Sequence, residues 1–182
     1  MKQFFAALAL CAATGTQSSE INQIEQPYSA NQATSVDLMP DFSFIKIDHA
    51  RAYVEKIYPL AKKVQEKHRI PVSVTIAIAC VESGYGRSHY AQTRNNHMGI
   101  RVYKNGQAGY RTFDSTAACF NYFSGMFEME RYQPLHALES SAPEDWIRLL
   151  CECGYNHREH YIHKIIKMIR FIDLDKLDQV IA

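Results

Sequence analysis

The sequence lacks an excess of either charge, since 20 lysines and arginines stand against 19 aspartates and glutamates in 182 residues. This balance excludes a protein whose main work is to coat nucleic acid, and it excludes a long acidic tail. Beyond the N-terminal segment there is no run of about 18 apolar residues, so no membrane-spanning helix is predicted in the mature chain. The length fits one domain with a short appendage, and 47% hydrophobic residues can supply a core.

The N-terminal segment predicts export from the cytoplasm. Residues 1–19 combine a positive charge at Lys2, an apolar run from Phe4 to Ala13 and a small, polar ending, which is the pattern of a secretory signal peptide. We therefore expect a protein of the periplasm or the cell envelope. Cys11 is a poor site for a lipid anchor, because leucine stands where a small residue is required. The alternative that stays open is the apolar N-terminus of a cytosolic protein.

Residues 20–42 are rich in Gln, Asn, Ser and Ala and lack apolar periodicity, so they are predicted to form a disordered tether. The folded domain is expected at residues 43–176. Apolar residues recur there at helical spacing in five or six segments, and Asn105-Gly106 predicts one tight hairpin between strand-compatible residues. The predicted fold class is therefore mainly α (α+β), a helical domain with one small β-hairpin lobe.

Polar residues placed before the apolar helical patterns predict where helices begin. Asp48 is expected to cap the first helix, in which Pro59 marks a kink or the start of a second piece. Asp114 or Ser115 is expected to cap the helix after the hairpin, and Ser141 with Pro143 is expected to open another.

The segment from Val72 to Val81 is ambiguous. Its alternation and β-branched residues favour a strand, whereas a helix that is apolar on nearly every side would give the same run. In either case Gly84-Tyr85-Gly86 ends the element, which places Glu82 at the end of a buried segment. Burial favours the neutral form of a carboxyl group, so Glu82 suits a general acid. The alternative is a solvated surface glutamate.

Four cysteines follow the N-terminal segment: Cys80, Cys119, Cys151 and Cys153. An even number in an exported chain permits disulfides, but the apolar surroundings favour buried thiols that pack as small hydrophobic residues. Cys151-Glu152-Cys153 lacks the spacer of a zinc knuckle, and no pair of histidines stands nearby at ligand spacing. The sequence therefore predicts neither a metal nor another cofactor.

Five motifs occur in order between about Ser43 and Ile172. They are Ile70-Pro71, Ala79-Cys80-Val81-Glu82-Ser83-Gly84-Tyr85-Gly86-Arg87-Ser88, Asn95-Asn96-His97-Met98-Gly99-Ile100, Tyr110-Arg111-Thr112-Phe113-Asp114-Ser115, and Gly154-Tyr155 followed by Tyr161. In residues and spacing they resemble the peptidoglycan endo-β-N-acetylglucosaminidases of the flagellar and autolysin type, the mannosyl-glycoprotein endo-β-N-acetylglucosaminidase-like domains. The resemblance implies a lysozyme-like α fold with a helix at 72–81. It also implies hydrolysis of the bond from N-acetylglucosamine to N-acetylmuramic acid in the bacterial cell wall.

The resemblance also implies roles for individual residues. Glu82 matches the family's catalytic acid, which donates a proton to the leaving oxygen, and Tyr155 matches a cleft tyrosine close to the acid and the substrate. Packing between aromatic residues explains Tyr161 equally well, and a plain cap explains Asn96 nearly as well. The expected substrate-binding residues are Ser83, Tyr85, Asn96, Gly99, Arg101, Tyr110 and Tyr161.

The sequence departs from the family pattern because it contains no Asp or Glu from Ser83 to Phe113. Some members place a second carboxylate on the hairpin lobe, whereas the nearest acid here, Asp114, fits a helix cap. We therefore expect the substrate's own N-acetyl carbonyl to assist, with Tyr155 orienting it. The acid-free stretch also holds five cations: Arg87, Arg94, Arg101, Lys104 and Arg111. They form either one side of the cleft, facing an anionic murein, or a solvated basic face.

Three other functions stay open. The same fold hosts muramidases and lytic transglycosylases, which cleave the other glycosidic bond with a single glutamate. A non-catalytic wall-binding module would hold glycan without cleaving it. A Cys-His hydrolase built on Cys80 or Cys119 is disfavoured, because neither stands at an exposed helix start beside a suitable base. The expected partners are peptidoglycan strands and a secretion, conjugation or flagellar machine, not nucleic acid.

Overall fold

The computed structural model describes residues 39–180 of the chain. The predicted signal peptide at 1–19 and residues 20–38 of the predicted tether lie outside the described residues. Within residues 39–180 the fold is mainly helical with one small antiparallel sheet, which confirms the predicted class and its lysozyme-like character. The α-helices are α1 (Asp48–His68), α2 (Val72–Ser83), α3 (His89–Arg94), α4 (Thr116–Met126), α5 (Pro143–Glu152) and α6 (Glu159–Phe171); the strands are β1 (Arg101–Lys104) and β2 (Gln107–Tyr110); 3-10 helices span Glu130–Ala137 and Leu174–Val180.

Helix α2 runs through the centre of the core. Ten of its twelve residues are buried, and it packs against α1, α6 and the C-terminal 3-10 helix. The alternating pattern does not mark a strand, because the small polar residues Ser73 and Thr75 are buried as fully as their apolar neighbours. A helix enclosed on all sides needs no polar face. The helix implied by the resemblance is therefore confirmed.

The two ends of the described chain join this core. The backbone N–H of Ser73, in the first turn of α2, donates to Oδ1 of Asp178 at 3.0 Å, and burial raises the pKa of Asp178. This bond ties the C-terminal 3-10 helix to α2, beyond the expected domain end at 176. Phe42 is buried and packs edge-on against Tyr58 with 5.4 Å between ring centroids, so the core also begins before residue 43.

Helix α1 is one continuous helix of 21 residues, although Pro59 lies inside it. Pro59 therefore does not begin a second piece. Asp48 is wrong as the predicted cap, because it is the first helical residue and is preceded by Ile47, which makes no side-chain cap. In the first turn its carboxylate lies at the positive end of the helix dipole and pairs with Arg51 at 2.6 Å.

The starts of α4 and α5 were also predicted from the sequence. Ser115 caps α4 as predicted, because its Oγ accepts from the backbone N–H of Ala118 at 3.0 Å. Pro143 opens α5 as predicted, since it takes the first helical position, where a missing N–H costs no hydrogen bond. Ser141 does not cap the helix, because Ala142 precedes it.

The predicted hairpin is confirmed. Arg101 lies opposite Tyr110, and Lys104 lies opposite Gln107. Between the strands Asn105 and Gly106 have φ values of 51° and 76°, the two left-handed residues of a tight two-residue turn.

All four described cysteines are free thiols. Cys80 and Cys119 are buried, and burial raises the pKa of each thiol, so both pack as inert apolar groups. Cys151 and Cys153 are half-buried. Over residues 39–180 no helix is both long enough and apolar enough to cross a bilayer.

Candidate active site

A cleft of about 660 Å³ is lined by the end of α2, the hairpin, α4 and the segment that leads into α6. Six of the nine residues proposed from sequence line this cleft, and they come from both halves of the domain: Glu82, Gly99, Arg101, Tyr110, Tyr155 and Tyr161.

Glu82 lies in the last turn of α2 and is half-buried. The helix ends at Gly84, and the backbone N–H of Tyr85 closes it by donating to the carbonyl oxygen of Cys80 at 3.2 Å. The buried body of α2 thus determines where the carboxyl group enters the cleft. Among the described residues that line the cleft, Glu82 is the one carboxylate.

The carboxyl group of Glu82 lies against Gly99. A β-carbon at position 99 would come within 2.6 Å of Oε2 of Glu82 and within 3.3 Å of its Cδ. Gly99 also has a φ of 64°, in the left-handed region that glycine adopts without strain. Conformation and space therefore both require glycine at this position.

Asn96 fixes the loop that carries Gly99. Its buried amide donates from Nδ2 to the carbonyl oxygens of Ile100 at 2.8 Å and Arg111 at 2.9 Å. Its Oδ1 accepts from the backbone N–H of Ile100 at 2.9 Å. Asn96 is not among the residues that line the cleft, so its observed part is to hold the backbone around Gly99.

Tyr155 enters the cleft because α5 ends at Glu152 and the chain turns at Gly154. Gly154 has a φ of 86°, and its N–H donates to the carbonyl oxygen of Cys151 at 2.9 Å. The N–H of Tyr155 donates to the carbonyl oxygen of Leu150 at 3.0 Å, which completes a Schellman motif. The Gly-Tyr pair is thus a helix stop that also places an aromatic side chain.

Tyr155 and Tyr161 form a pair beside Glu82, with 6.0 Å between their ring centroids. Burial raises the pKa of Tyr155, and the charge of Glu82 adds to this effect. The pKa of Tyr161 is also raised, by burial first and then by Tyr155 and Glu82. Both phenols therefore stay neutral at physiological pH and keep a proton to donate.

Ser83 belongs to a buried hydrogen-bond network that sequence reasoning missed. Its hydroxyl donates to the carbonyl oxygen of Ala79 at 2.6 Å and accepts from the backbone N–H of Gly86 at 2.8 Å. The hydroxyl of Tyr53, in α1, lies 3.0 Å from the Ser83 hydroxyl and 3.0 Å from Nδ1 of His97. Ser83 thus lies behind the cleft lining and joins α2 to α1 and to the Gly99 loop.

The donors in this network can be assigned in order. Because the Ser83 proton is used on Ala79, Tyr53 donates to Ser83 and accepts from Nδ1–H of His97. Nε2 of His97 then accepts from the hydroxyl of Thr116 at 3.2 Å. Burial lowers the pKa of His97 to about 4, which agrees with this neutral tautomer.

Tyr85 also lies outside the cleft lining. Its hydroxyl donates to Sδ of Met168 at 3.2 Å, and its ring packs edge-on against His49. Tyr85 thus joins the turn after α2 to α6 and α1.

Three of the five cations from the acid-free stretch have described partners, and one of them, Arg101, stacks on the ring of Tyr110 at 5.3 Å. Arg94 donates to the carbonyl oxygen of Tyr110 at 2.7 Å, and Arg111 stacks on Tyr122 at 4.2 Å. Of the described side chains in that set, Arg101 is the one that lines the cleft. In residues 39–180 no group of three His, Cys, Asp or Glu side chains is placed to hold a metal ion.

The chain is similar to proteins of known family and structure. Residues 58–174 match the family described as Glucosaminidase, mannosyl-glycoprotein endo-beta-N-acetylglucosaminidase. The chain is 26% identical over 159 residues to the exo-glucosaminidase LytG of Bacillus subtilis (strain 168), which is 74% of this chain and 56% of LytG. It thus spans little more than half the length of that relative.

Two solved structures share the fold. The catalytic domain of the autolysin Auto from Listeria monocytogenes superposes with a TM-score of 0.59 at 18% identity, covering 79% of this chain and 92% of that one. A peptidoglycan hydrolase from Sphingomonas sp. A1 gives a TM-score of 0.58 at 19% identity, covering 72% and 96%. Because the family match includes more than half of the sequence, the chain belongs to the mannosyl-glycoprotein endo-β-N-acetylglucosaminidase family of glycoside hydrolases.

Proposed function

We propose that the protein cleaves the glycosidic bond from N-acetylglucosamine to N-acetylmuramic acid in peptidoglycan, with Glu82 as general acid. The observation that carries this proposal is the placement of Glu82, the one described carboxylate on the cleft, against Gly99 and beside two neutral tyrosines. The family and the likeness to an exo-glucosaminidase and to a peptidoglycan hydrolase support the choice of bond and polymer.

The reaction needs a proton at the bridging oxygen as the bond breaks. The protonated carboxyl group of Glu82 donates to that oxygen while the substrate's N-acetyl carbonyl oxygen attacks the anomeric carbon from the opposite face. Water then opens the cyclic oxazolinium intermediate and gives up a proton to the Glu82 carboxylate. Two inversions at the anomeric carbon leave the first product in the β configuration.

Tyr155 is proposed to orient the acetamido group. Its hydroxyl stays neutral, because burial and the charge of Glu82 raise its pKa. A neutral hydroxyl can accept from the acetamido N–H and thereby direct the carbonyl oxygen toward the anomeric carbon. This arrangement supplies the nucleophile that a second carboxylate supplies in other glycosidases.

The remaining cleft surface offers flat and flexible apolar groups for sugar rings. Tyr103 on β1 is 76% exposed, which is unusual for an aromatic side chain and fits a stacking platform for a ligand. The other aromatic and methionine side chains that line the cleft on this side are Met98, Tyr110, Tyr122, Met126 and Met129.

The test is product analysis on purified murein with the parent and Glu82→Gln. The parent should release strands with reducing-end N-acetylglucosamine, and the variant should be slower by about 10³-fold, the usual contribution of a general acid. Glu152→Gln, an exposed acid on α5 outside the cleft, is the matched control and should behave as the parent. Equal clearance by parent and Glu82→Gln would remove Glu82 from catalysis.

A muramidase or lytic transglycosylase is the second candidate. The observation that favours it is that the cleft has one carboxylate among its described lining residues, which is enough for those reactions. Mass spectrometry of the same products decides between this candidate and a glucosaminidase, since reducing-end muramic acid or anhydromuramic acid would replace the expected reducing-end N-acetylglucosamine. A wall-binding module would yield no new reducing ends at all.

The proposed substrate places the reaction outside the cytoplasm, in agreement with the export predicted from residues 1–19. The proposed partner is a secretion, conjugation or flagellar machine, for which this protein would open the wall locally. Detection of the protein in the periplasmic or cell-envelope fraction tests this placement.

A further inference from the structure

A group of basic side chains lines the cleft on elements other than the hairpin. Arg131 comes from the 3-10 helix Glu130–Ala137, Arg158 precedes α6, and Lys164 lies within α6. All three are exposed. His157 and His160 line the same part of the cleft. We call these five residues the basic wall.

The basic wall has no described acidic partner. Salt bridges between described residues join cations elsewhere, such as Arg170 with Glu144 at 2.8 Å and Arg51 with Asp48 at 2.6 Å. Neither Arg131, Arg158 nor Lys164 forms one with a carboxylate that the structure describes. The guanidinium of Arg131 stacks on Tyr132 at 4.7 Å, an aromatic contact that does not neutralise its charge.

The charge of the cleft does not follow from the charge of the chain. The whole sequence has a net charge of +1, whereas the described cleft lining places Arg101, Arg131, Arg158 and Lys164 against the single carboxylate Glu82. Cations gathered in a concave surface attract an anionic ligand and raise its association rate. A neutral N-acetylated glycan backbone offers such cations hydrogen-bond acceptors but no negative charge.

We propose that the basic wall binds the free carboxylates of the stem peptides carried by the glycan, so that the protein prefers charged, peptide-bearing strands. This inference rests on the proposed function and names the part of peptidoglycan that the wall recognises. Arginine forks fit carboxylates in a bidentate manner, and lysine adds a mobile point charge. Each contact forms at an exposed site, so the preference weakens as salt rises.

The experiment compares peptide-bearing strands with the same strands after their carboxylates are converted to amides by carbodiimide coupling with ammonia. In low salt, kcat/KM of the parent chain should be about tenfold higher on the untreated strands, as two exposed ion pairs allow. The difference should shrink at high salt. The double variant Arg158→Gln with Lys164→Gln should lose the preference, whereas Lys167→Gln, on α6 outside the cleft, should keep it. Equal kcat/KM on both substrates, or a preference retained by the double variant, would overturn the inference.

Binding by Glu82→Gln separates this inference from the proposed function. The variant should sediment with untreated strands more than with amidated strands, and the Arg158→Gln and Lys164→Gln changes should abolish that difference. If the parent cleaves neither substrate, the proposed function fails, and the binding comparison still decides the role of the wall. Equal binding to both strands overturns it.

Discussion

Oε2 of Glu82 lies so close to Gly99 that a β-carbon at position 99 would come within 2.6 Å of it. The two residues are 17 positions apart and belong to different elements, the end of α2 and the loop before β1. The loop is held by the buried amide of Asn96 and α2 is held by the core. The contact between acid and glycine is therefore rigid on both sides.

Gly99→Ala should displace the carboxyl group and reduce kcat far more than it reduces stability. The backbone cost of a left-handed alanine is about 1–2 kcal/mol, whereas the collision falls on the proposed acid. Gly106→Ala is the matched control, because Gly106 has a φ of 76° and no atom within 4 Å of the added β-carbon. Thermal unfolding should show similar losses for both variants, and murein hydrolysis should fall only for Gly99→Ala. Parent-like kcat in Gly99→Ala would show that the acid tolerates displacement.

Tyr53→Phe should destabilise the domain by about 1–3 kcal/mol, because it leaves buried hydrogen-bond partners without the hydroxyl they use. The ring and its stacking on His97 are retained, so the change isolates the bonds from Tyr53 to Ser83 and His97. Urea denaturation measures the effect. Tyr103→Phe, on a side chain that is 76% exposed, is the control and should cost almost nothing. If the two variants are equally stable, the hydroxyl of Tyr53 contributes nothing to the stability of the domain.

The residues of the candidate site that the sequence predicted stand in short motifs. Glu82, Gly99 and Tyr155 each adjoin residues with a recognisable local task, such as a helix end or a left-handed turn. Local sequence therefore predicts the helix ends and turns, and the resemblance to the family implies which of these residues form the site. The buried run of α2 was resolved by the resemblance and not by its periodicity, since burial on all sides removes the polar face that marks a helix.

The residues that sequence reasoning missed are brought together only by tertiary packing. Tyr53, His97 and Thr116 come from three elements, and no local pattern pairs a tyrosine of α1 with a histidine 44 positions later. The resemblance implies a substrate-binding role for Ser83, yet its side chain is fully buried in that network. Arg158 likewise lines the cleft because of how the segment before α6 is placed.

The pKa of His97 predicts a loss of stability in mild acid. Burial lowers this pKa to about 4, with the charge of Lys56 as a lesser cause, whereas an unfolded histidine titrates near 6.5. Between these values the unfolded chain binds a proton that the folded chain does not, so stability falls as pH drops from 6.5 to 4 and is unaffected above 6.5. The full shift is worth about 3 kcal/mol.

Urea denaturation at several pH values measures this slope, and His97→Gln isolates it from other groups. His68 adds a slope of the same sign, because burial also lowers its pKa. The slope from His68 is common to both proteins. The difference in free energy of unfolding between the parent and His97→Gln should narrow as the pH is lowered from 6.5 to 4, because only the parent loses the contribution of His97. If this difference in unfolding free energy stays constant across the range, His97 has the same pKa in the folded and the unfolded chain.

Tyr155→Phe tests the route by which the anomeric carbon is attacked. Loss of one hydrogen bond that orients the acetamido group should lower kcat by about 10–100-fold, with a much smaller change in KM. Tyr110→Phe, which alters a hydroxyl on the hairpin side of the cleft, is the control and should leave kcat near the parent value. Proton NMR of the first product should show the β anomer in both the parent and the slow variant, because two inversions precede its release. An initial α anomer would exclude participation of the N-acetyl group, and a parent-like kcat in Tyr155→Phe would assign the orientation of that group to another residue.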